Sequence, residues 1–487
     1  MKKTVCLLIL MIIAAVLFSC SDNGGKNEKQ NITGENDAEK AIAGAETEPD
    51  NSIADDLGQY DFSGHKFTSL SRFTAAINVE EDTGDLLDDA IYHRNRKIEG
   101  RFNFKISEVL LETGDMSDAR KSLLTSDGAY DIMIIQCNDA FVYAQEGLIH
   151  SINELPHINM DKPYWNKWLT GQYTVANKSY FASSAADINS YDCTGALLFN
   201  KKLAENLALE DIYALVKAGK WTFDKFAEFG AAATRDVNGD GIMDNSDNYG
   251  YLAATRGIPP AFWIAGGVKS IDKDENDIPY LAANSEKFLS VFFKTVDIIL
   301  NKNIWYQPED ADNLDNTERL AMFKSGQSLF MEGGFGDIPD LRDMDIDFGI
   351  LPFPKYDEKQ DRYYTRLGWA ELLCIPIYCG EESLERTSII LEALAAESAR
   401  SVIPVYYDKS LKTKHTRDDE SAEIIDLLFE TRVFDFGDTI WTWEIRDSLF
   451  AQIFQKKSDT VVSRLDRIQP TIQKLIDKTV DAFEKLD

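Results

Sequence analysis

A change of hydrophobic period governs what this chain can fold into. Short apolar runs suited to buried strands alternate with longer stretches of helical period. Lys66–Leu70 (KFTSL) and Asp131–Ile135 (DIMII) are bounded by loop residues, as buried parallel strands are, and Asp347–Leu351 (DFGIL) is another strand, ended by Pro352 and Pro354. Residues 85–97 and 383–399 carry helical patterns, and Phe141–Leu155 gives a helical turn that breaks at Gly147 before a turn at Pro156. The clearest helix is Trp221–Thr234: Thr222 caps it, Asp224 sits in the first turn, and Phe223, Phe226, Ala227, Gly230 and Ala231 share one face. This alternation predicts α/β sheets with ligands at the carboxyl ends of strands. At roughly 100–200 residues per domain, 487 residues predict at least two domains.

The N-terminus carries an address. Lys2 and Lys3 precede an apolar run from Val5 to Phe18, then Ser19 and Cys20. A helical run of that length falls short of the ~20 residues a bilayer core needs, so residues 1–19 are expected to be a signal peptide. Leu17-Phe18-Ser19-Cys20 resembles a bacterial lipobox, which implies diacylation of Cys20 as the mature N-terminus. Residues 20–59 hold Asn, Asp, Glu, Lys and Gly with almost no aromatics, a composition that cannot offset its ordering entropy. They read as a flexible tether between a lipid anchor and a soluble body.

The formal charge is −31, from 51 basic and 82 acidic side chains. A body this acidic repels phosphate backbones, which argues against nucleic acid as a partner. There is no GxSxG elbow, HExxH, P-loop or dinucleotide GxGxxG, so no enzyme motif is recognised. Of the cysteines in the body, Cys374 and Cys379 lie along an apparent strand and should not pair. A disulfide between Cys137 and Cys193 is left open. His150 and His157 flank the turn at Pro156 and are expected at the surface.

One motif points to a cation. In DVNGDGIMDNSD, an EF-hand-type spacing puts Asp236, Asn238, Asp240, the Ile242 carbonyl, Asp244 and Asp247 at ligand positions, with Gly241 at the turn. Asp247 stands where Glu is usual. Four carboxylates within twelve residues repel one another unless neutralised, so a structural Ca²⁺ is expected. The competing reading is an Asx- and Gly-rich surface turn.

Six stretches, in order, resemble bacterial extracellular solute-binding proteins of the family 1, carbohydrate-transport type. They are EGLIHSINELP (146–156), YDCTGALLFNKKLAENLAL (191–209), WTFDKFAEFGAAATRDVNGDGIMDNSDNYGY (221–251), FKSGQSLFMEGG (323–334), FGILPFPKYD (348–357) and GWAELLCIP (368–376). The resemblance implies a two-lobed α/β fold of the periplasmic-binding-protein type II kind, with hinge strands and a ligand cleft. It places crossings near Asp187–Phe199 and Ile350–Pro354. The N-terminal lobe is then 60–188 plus 353–400, and the C-terminal lobe 189–352 plus 401–487. By the same analogy Arg72, Tyr191, Asp192, Trp263, Glu332 and Trp369 approach the ligand, Trp263 and Trp369 from loops; sugar rings pack on aromatic faces.

The function so implied is a lipid-anchored, extracytoplasmic receptor. It would capture a mono- or oligosaccharide and hand it to the permease of an ABC importer, as a monomer and without catalysis. Two other readings remain: a surface polysaccharide-binding lipoprotein with no transport role, and a glycoside hydrolase, which needs only two carboxylates.

Overall fold

The computed structural model describes residues 53–72, 77–111, 116–306, 317–341, 344–411, 419–458 and 460–486. The expected signal peptide, Cys20 and nearly all of the 20–59 tether lie outside the described residues. The described residues fall in one compact unit.

Thirteen strands are present among the described residues. In chain order they are β1 (His65–Arg72), β2 (Phe104–Leu111), β3 (Ile132–Gln136), β4 (Gly195–Asn200), β5 (Tyr249–Leu252), β6 (Ile271–Lys273), β7 (Pro279–Leu281), β8 (Trp305–Tyr306), β9 (Ser328–Gly334), β10 (Phe348–Leu351), β11 (Thr365–Arg366), β12 (Glu371–Cys374) and β13 (Arg432–Val433). Two sheets carry the architecture. The first has the order β12-β3-β1-β2, with β1 parallel to both β2 and β3 and β12 antiparallel to β3. The second has the order β10-β4-β9-β5-β8, with β5 parallel to β9 and β8, and β4 antiparallel to β9 and β10. Parallel pairs need helical crossovers, which is why strand and helix patterns alternate in the sequence.

The expected elements form for the reasons the residues supply. Asp85 caps helix Leu86–Phe102 by accepting from the Leu87 and Asp88 amides. Thr222 caps helix Phe223–Ala233, which buries Phe223, Phe226, Ala227, Phe229 and Gly230. Gly230 is fixed by close approach: a Cβ there would meet Ile304, and its backbone lies against Gly250. The helix expected at 383–399 forms as Glu381–Glu397 and runs into a turn of π-helix, Ser398–Val402.

The chain leaves the first sheet after β3 and enters the second at β4. Beyond β10, Lys355 still accepts from Phe223 N (2.8 Å), and Tyr363 Oη donates to the Val216 carbonyl (3.2 Å). The return to the first sheet therefore begins at Glu371, later than the crossing expected at Ile350–Pro354. The C-terminal helix Val461–Glu484 sets Phe483 against Phe141 and Tyr180, with ring centroids 6.0 and 5.5 Å apart. Its tip therefore sits beside segments expected in the other lobe. The larger hydrophobic core takes residues from both sheets, while a second core lies against the first sheet alone.

All four described cysteines are free thiols. Cys137 and Cys193 turn away to separate carbonyls, those of Thr439 and Trp369, each at 3.5 Å. His150 is buried rather than at the surface, because Glu154 (2.6 Å) and the Cys379 carbonyl (3.0 Å) satisfy its two ring nitrogens.

Candidate functional site

The concavity richest in converging polar groups lies where β5 and β9 end side by side and antiparallel β4 begins. Its volume is about 370 Å³, and its walls include Asp192, Arg256, Arg319, Glu332, Phe353, Arg366, Trp369 and Arg446. Strand ends of this kind expose loop backbone and side chains together, the usual place for a ligand in an α/β sheet.

Its floor is a network of ion pairs. Asp438, 1% exposed, takes both Nε and Nη2 of Arg366 (2.7 and 2.9 Å) and Nη1 of Arg446 (3.2 Å). The second guanidinium edge of Arg446 meets Asp447 at 2.8 and 3.3 Å. Arg366 Nη1 also reaches Glu332 Oε1 at 3.3 Å, and Arg319 Nη1 stands 3.6 Å from Glu332 Oε2. Burial alone would raise the Asp438 carboxyl, but Arg366 and then Arg446 hold it below the usual range. Burial wins at Glu332 and raises it, despite Arg366 and Arg319.

Glu332 is 8% exposed, and its Oε2 accepts no hydrogen bond. Its carboxylate rests on Gly257, at the start of helix Ile258–Ala265; a Cβ at 257 would overlap it, so any side chain there would displace the carboxylate. Above this floor stands Trp369, 49% exposed, with Arg446 stacked 5.0 Å from its ring. Its φ of +58° is costly for a non-glycine residue. An exposed indole held in that conformation at a pocket wall marks a place where the fold sacrifices local stability.

A second concavity of about 430 Å³ is lined by Tyr164, Trp165, Tyr191, Tyr407, Phe429 and Arg432, among others. Its polar groups are used internally: Tyr164 and Trp165 donate to Glu392, and Arg432 lies over the Tyr191 and Phe429 rings. A third, of about 600 Å³, runs between Gln145 and the C-terminal helix and holds no comparable cluster.

The model of the family described as bacterial extracellular solute-binding protein matches residues 103–371, more than half of the chain. The chain belongs to that family. No curated protein matches it in sequence. Among solved structures, it resembles the ABC substrate-binding protein Lmo0181 from Listeria monocytogenes in complex with cycloalternan, at TM-score 0.57 and 12% identity, covering 85% of this chain and 99% of that one. It also resembles UgpB from Mycobacterium tuberculosis in complex with glycerophosphocholine, at TM-score 0.56 and 15% identity, covering 86% and 99%. A third is an ABC transporter solute-binding protein from Agrobacterium radiobacter in complex with ribitol, at TM-score 0.55 and 13% identity, covering 85% and 100%. At these identities the likeness establishes the fold, a two-lobed α/β arrangement with one sheet in each part.

In this solute-binding protein, three of the six residues expected near a ligand, Asp192, Glu332 and Trp369, line the pocket together. Trp263 does not. It sits in helix Ile258–Ala265, 1% exposed, packed on Phe288 and Phe450. The loop that the family likeness implied is a helix here, and the Pro259-Pro260 pair is tolerated in its first turn, where amide hydrogens have no intrahelical partner. Tyr191 belongs to the second concavity. Arg72, at the end of β1, is 3.8 Å from Asp139 and lines neither.

The Asp-rich loop is described throughout. Asp236 accepts from the Gly239 and Gly241 amides, Asp240 from Ile242, Asp244 from Ser246, and buried Asp247 from Val237 and Asp244. Asn238 bonds within the loop, and the Ile242 side chain is exposed. Among the described residues no group of three or more His, Cys, Asp or Glu side chains converges as a metal cage.

Four arginines were not anticipated: 256, 319, 366 and 446. Arg256 lies seven residues before Trp263, the one residue of that region expected near a ligand. The partners of Arg366 and Arg446 are set by folding, and no spacing rule reveals them.

Where the crossing from the first sheet begins, Asn189 Nδ2 donates to Glu371 at 2.8 Å. Burial lifts the Glu371 carboxyl to about 7 and that of Asp187 to about 6.

Proposed function

We propose that this protein is an extracytoplasmic receptor that captures a small hydroxyl-rich solute, a sugar or polyol, in the Arg366–Glu332–Trp369 pocket. The observation that carries the reading is that pocket: an exposed, strained indole stands beside a fixed array of charged hydrogen-bonding groups. Sugars offer C–H faces to an aromatic ring and hydroxyls to planar polar partners, and this array supplies both. Family membership supports solute binding. Cycloalternan, glycerophosphocholine and ribitol are the ligands of three structures of like fold.

The same proposal takes Cys20 as a lipidated anchor, residues 20–59 as a tether, and an ABC permease as the partner. Lobe closure around the ligand would make the form that the permease recognises. No catalytic residue is assigned. A Ca²⁺ ion bound in the 236–247 loop is part of the proposal as a structural element. Asp236, Asn238, Asp240, the Ile242 carbonyl, Asp244 and Asp247 would hold it by turning oxygens inward.

Thermal-shift screening of the purified protein across neutral and acidic sugars, oligosaccharides, polyols and peptides tests the reading. A sugar or polyol should raise the melting temperature and reduce the radius of gyration. Release of reducing sugar would point to a hydrolase. Binding confined to long polymers without compaction would point to a surface adhesion module. Millimolar Ca²⁺ added to metal-stripped protein should raise its melting temperature, and unchanged melting would remove calcium from the account.

A further inference from the structure

The two halves of the molecule also meet away from the pocket, where a segment tied to the first sheet is gripped by elements tied to the second. Segment 171–181 belongs with the first sheet. The Ser179 carbonyl accepts from the Ile152 amide (3.0 Å) and from Ser151 Oγ (2.8 Å). The Phe181 ring lies 4.9 Å from that of Phe141, in the helix Cys137–Gln145 that follows β3. The β6–β7 hairpin belongs with the second sheet. It connects helices Ile258–Ala265 and Glu286–Val296, which pack together through Trp263 and Phe288, and Phe262 of the first helix packs on Tyr251 of β5.

The grip has two arms. In the first, Lys273 Nζ at the end of β6 donates to the Gly171 and Thr174 carbonyls (2.9 and 3.0 Å) and pairs with Asp277 of its own hairpin (2.8 Å). Its side chain is 13% exposed, so all three ammonium hydrogens find acceptors largely out of water. The Ala176 amide donates back to the Asp277 carbonyl (3.1 Å). In the second arm, Lys178 Nζ donates to the Leu486 carbonyl (2.6 Å) and Tyr180 packs on Phe483 of the C-terminal helix. Ala176, Asn177 and Asp277 hold left-handed backbone, with φ of +49°, +58° and +57°. For Ala176 that conformation is unfavourable in itself and is imposed by the contacts around it.

The position of the grip gives its sense. Residues 163–167 and 183–185, which flank the gripped segment, wall the second concavity, and none of residues 163–185 lines the solute pocket. The crossing helix Ile188–Asp192 stands between the two, with Tyr191 in the wall of the second concavity and Asp192 in that of the pocket. A hinge that narrows one side widens the other.

We propose that this contact is a latch: it holds the open arrangement, parts as the pocket closes, and so sets the affinity for solute without touching it. Whatever free energy the latch gives the open form is subtracted from that of binding, because apparent affinity scales with the population able to close. The inference rests on the receptor reading with its lobe closure and adds the device that tunes it.

Lys273→Met tests it, because methionine keeps a buried stem and removes the ammonium; Lys178→Met tests the other arm. A sugar or polyol that stabilises the parent is titrated by calorimetry into each protein, and solution scattering gives the radius of gyration with and without it. Each variant should bind roughly three- to tenfold tighter, the worth of one or two hydrogen bonds. The free variants should be more compact than the free parent, and the saturated proteins should coincide. Lys287→Met is the control. It removes a lysine bonded to the Gly267 carbonyl (3.2 Å), at the end of the neighbouring helix, and should leave affinity unchanged. A role confined to stability would lower the melting temperature of the latch variants while affinity and compactness stay parental; that result overturns the latch and leaves the receptor reading standing. Weaker binding by folded variants overturns it as well, since the contact would then belong to the closed form. If the parent binds no sugar or polyol at millimolar concentration, the receptor reading falls and the latch falls with it.

Discussion

The Asp-rich loop and the arginine pocket are both dense in charge, but they compensate it in opposite ways. In the loop each carboxylate finds its partner nearby. The longest such bond, Asp247 to the Val237 amide, spans ten residues. In the pocket Arg366 reaches 72 residues to Asp438 and 34 back to Glu332. The loop is therefore organised by its own stretch of chain. The pocket exists only once β9, β11 and the helices near the C-terminus have been brought together. A site assembled from the whole fold is held in place before a ligand arrives, which lowers the ordering cost of binding.

The sharpest way to break this contrast is Asp438→Asn. It keeps the shape but removes the buried charge that two guanidiniums share, so a loss of about 3–5 kcal/mol is expected in urea unfolding. A loss near zero would mean that the pocket is not held by its charges.

Next in size is a pH effect. Glu371 has a folded pKa near 7, raised from 4.5 by burial. The folded state keeps a proton that the unfolded state releases between those values, so stability falls as pH rises through that window. Asp187 and Asp435, each raised by burial to about 6, act in the same direction. Glu371→Gln should leave stability unchanged below about pH 4 and gain up to roughly 3 kcal/mol over the parent above pH 7. Parallel unfolding curves for the two proteins at every pH would contradict this.

Within the loop, the local account predicts a graded response. Asp247→Ala strands two amide donors around a fully buried carboxylate site and should cost about 1–3 kcal/mol. Asp240→Ala, on the exposed rim, should cost under about 1 kcal/mol. Equal losses would show that the loop behaves as a unit rather than as separate caps. The smallest effect is expected at Trp369→Gly, where relief of the positive φ offsets the lost contact with Arg446. Melting should then place the variant within about 1 kcal/mol of the parent.

The same contrast explains what the sequence made legible. Elements set by local rules were readable: the Thr222 cap, the helical pattern from residue 85, and the β1 and β3 runs. Trp263 was misplaced because the family likeness put it in a ligand-facing loop, whereas here it is buried inside a helix. His150 was misplaced because its two acceptors, Glu154 and the Cys379 carbonyl, are invisible until the chain folds back. The four pocket arginines escaped notice for that reason too, since their partners lie on other elements. No local pattern separates Arg366 from a solvated surface arginine.

The central claim is that the Arg366–Glu332–Trp369 pocket is where this solute-binding protein holds its solute. Gly257→Ala tests it most directly, because the added methyl falls on the Glu332 carboxylate. One sugar or polyol that stabilises the parent is titrated by calorimetry into both proteins, with the fold of each checked by melting. The account predicts that the variant stays folded and loses affinity by roughly a hundredfold, the cost of displacing a charged hydrogen-bonding group. Equal affinity in a folded variant would place the solute elsewhere.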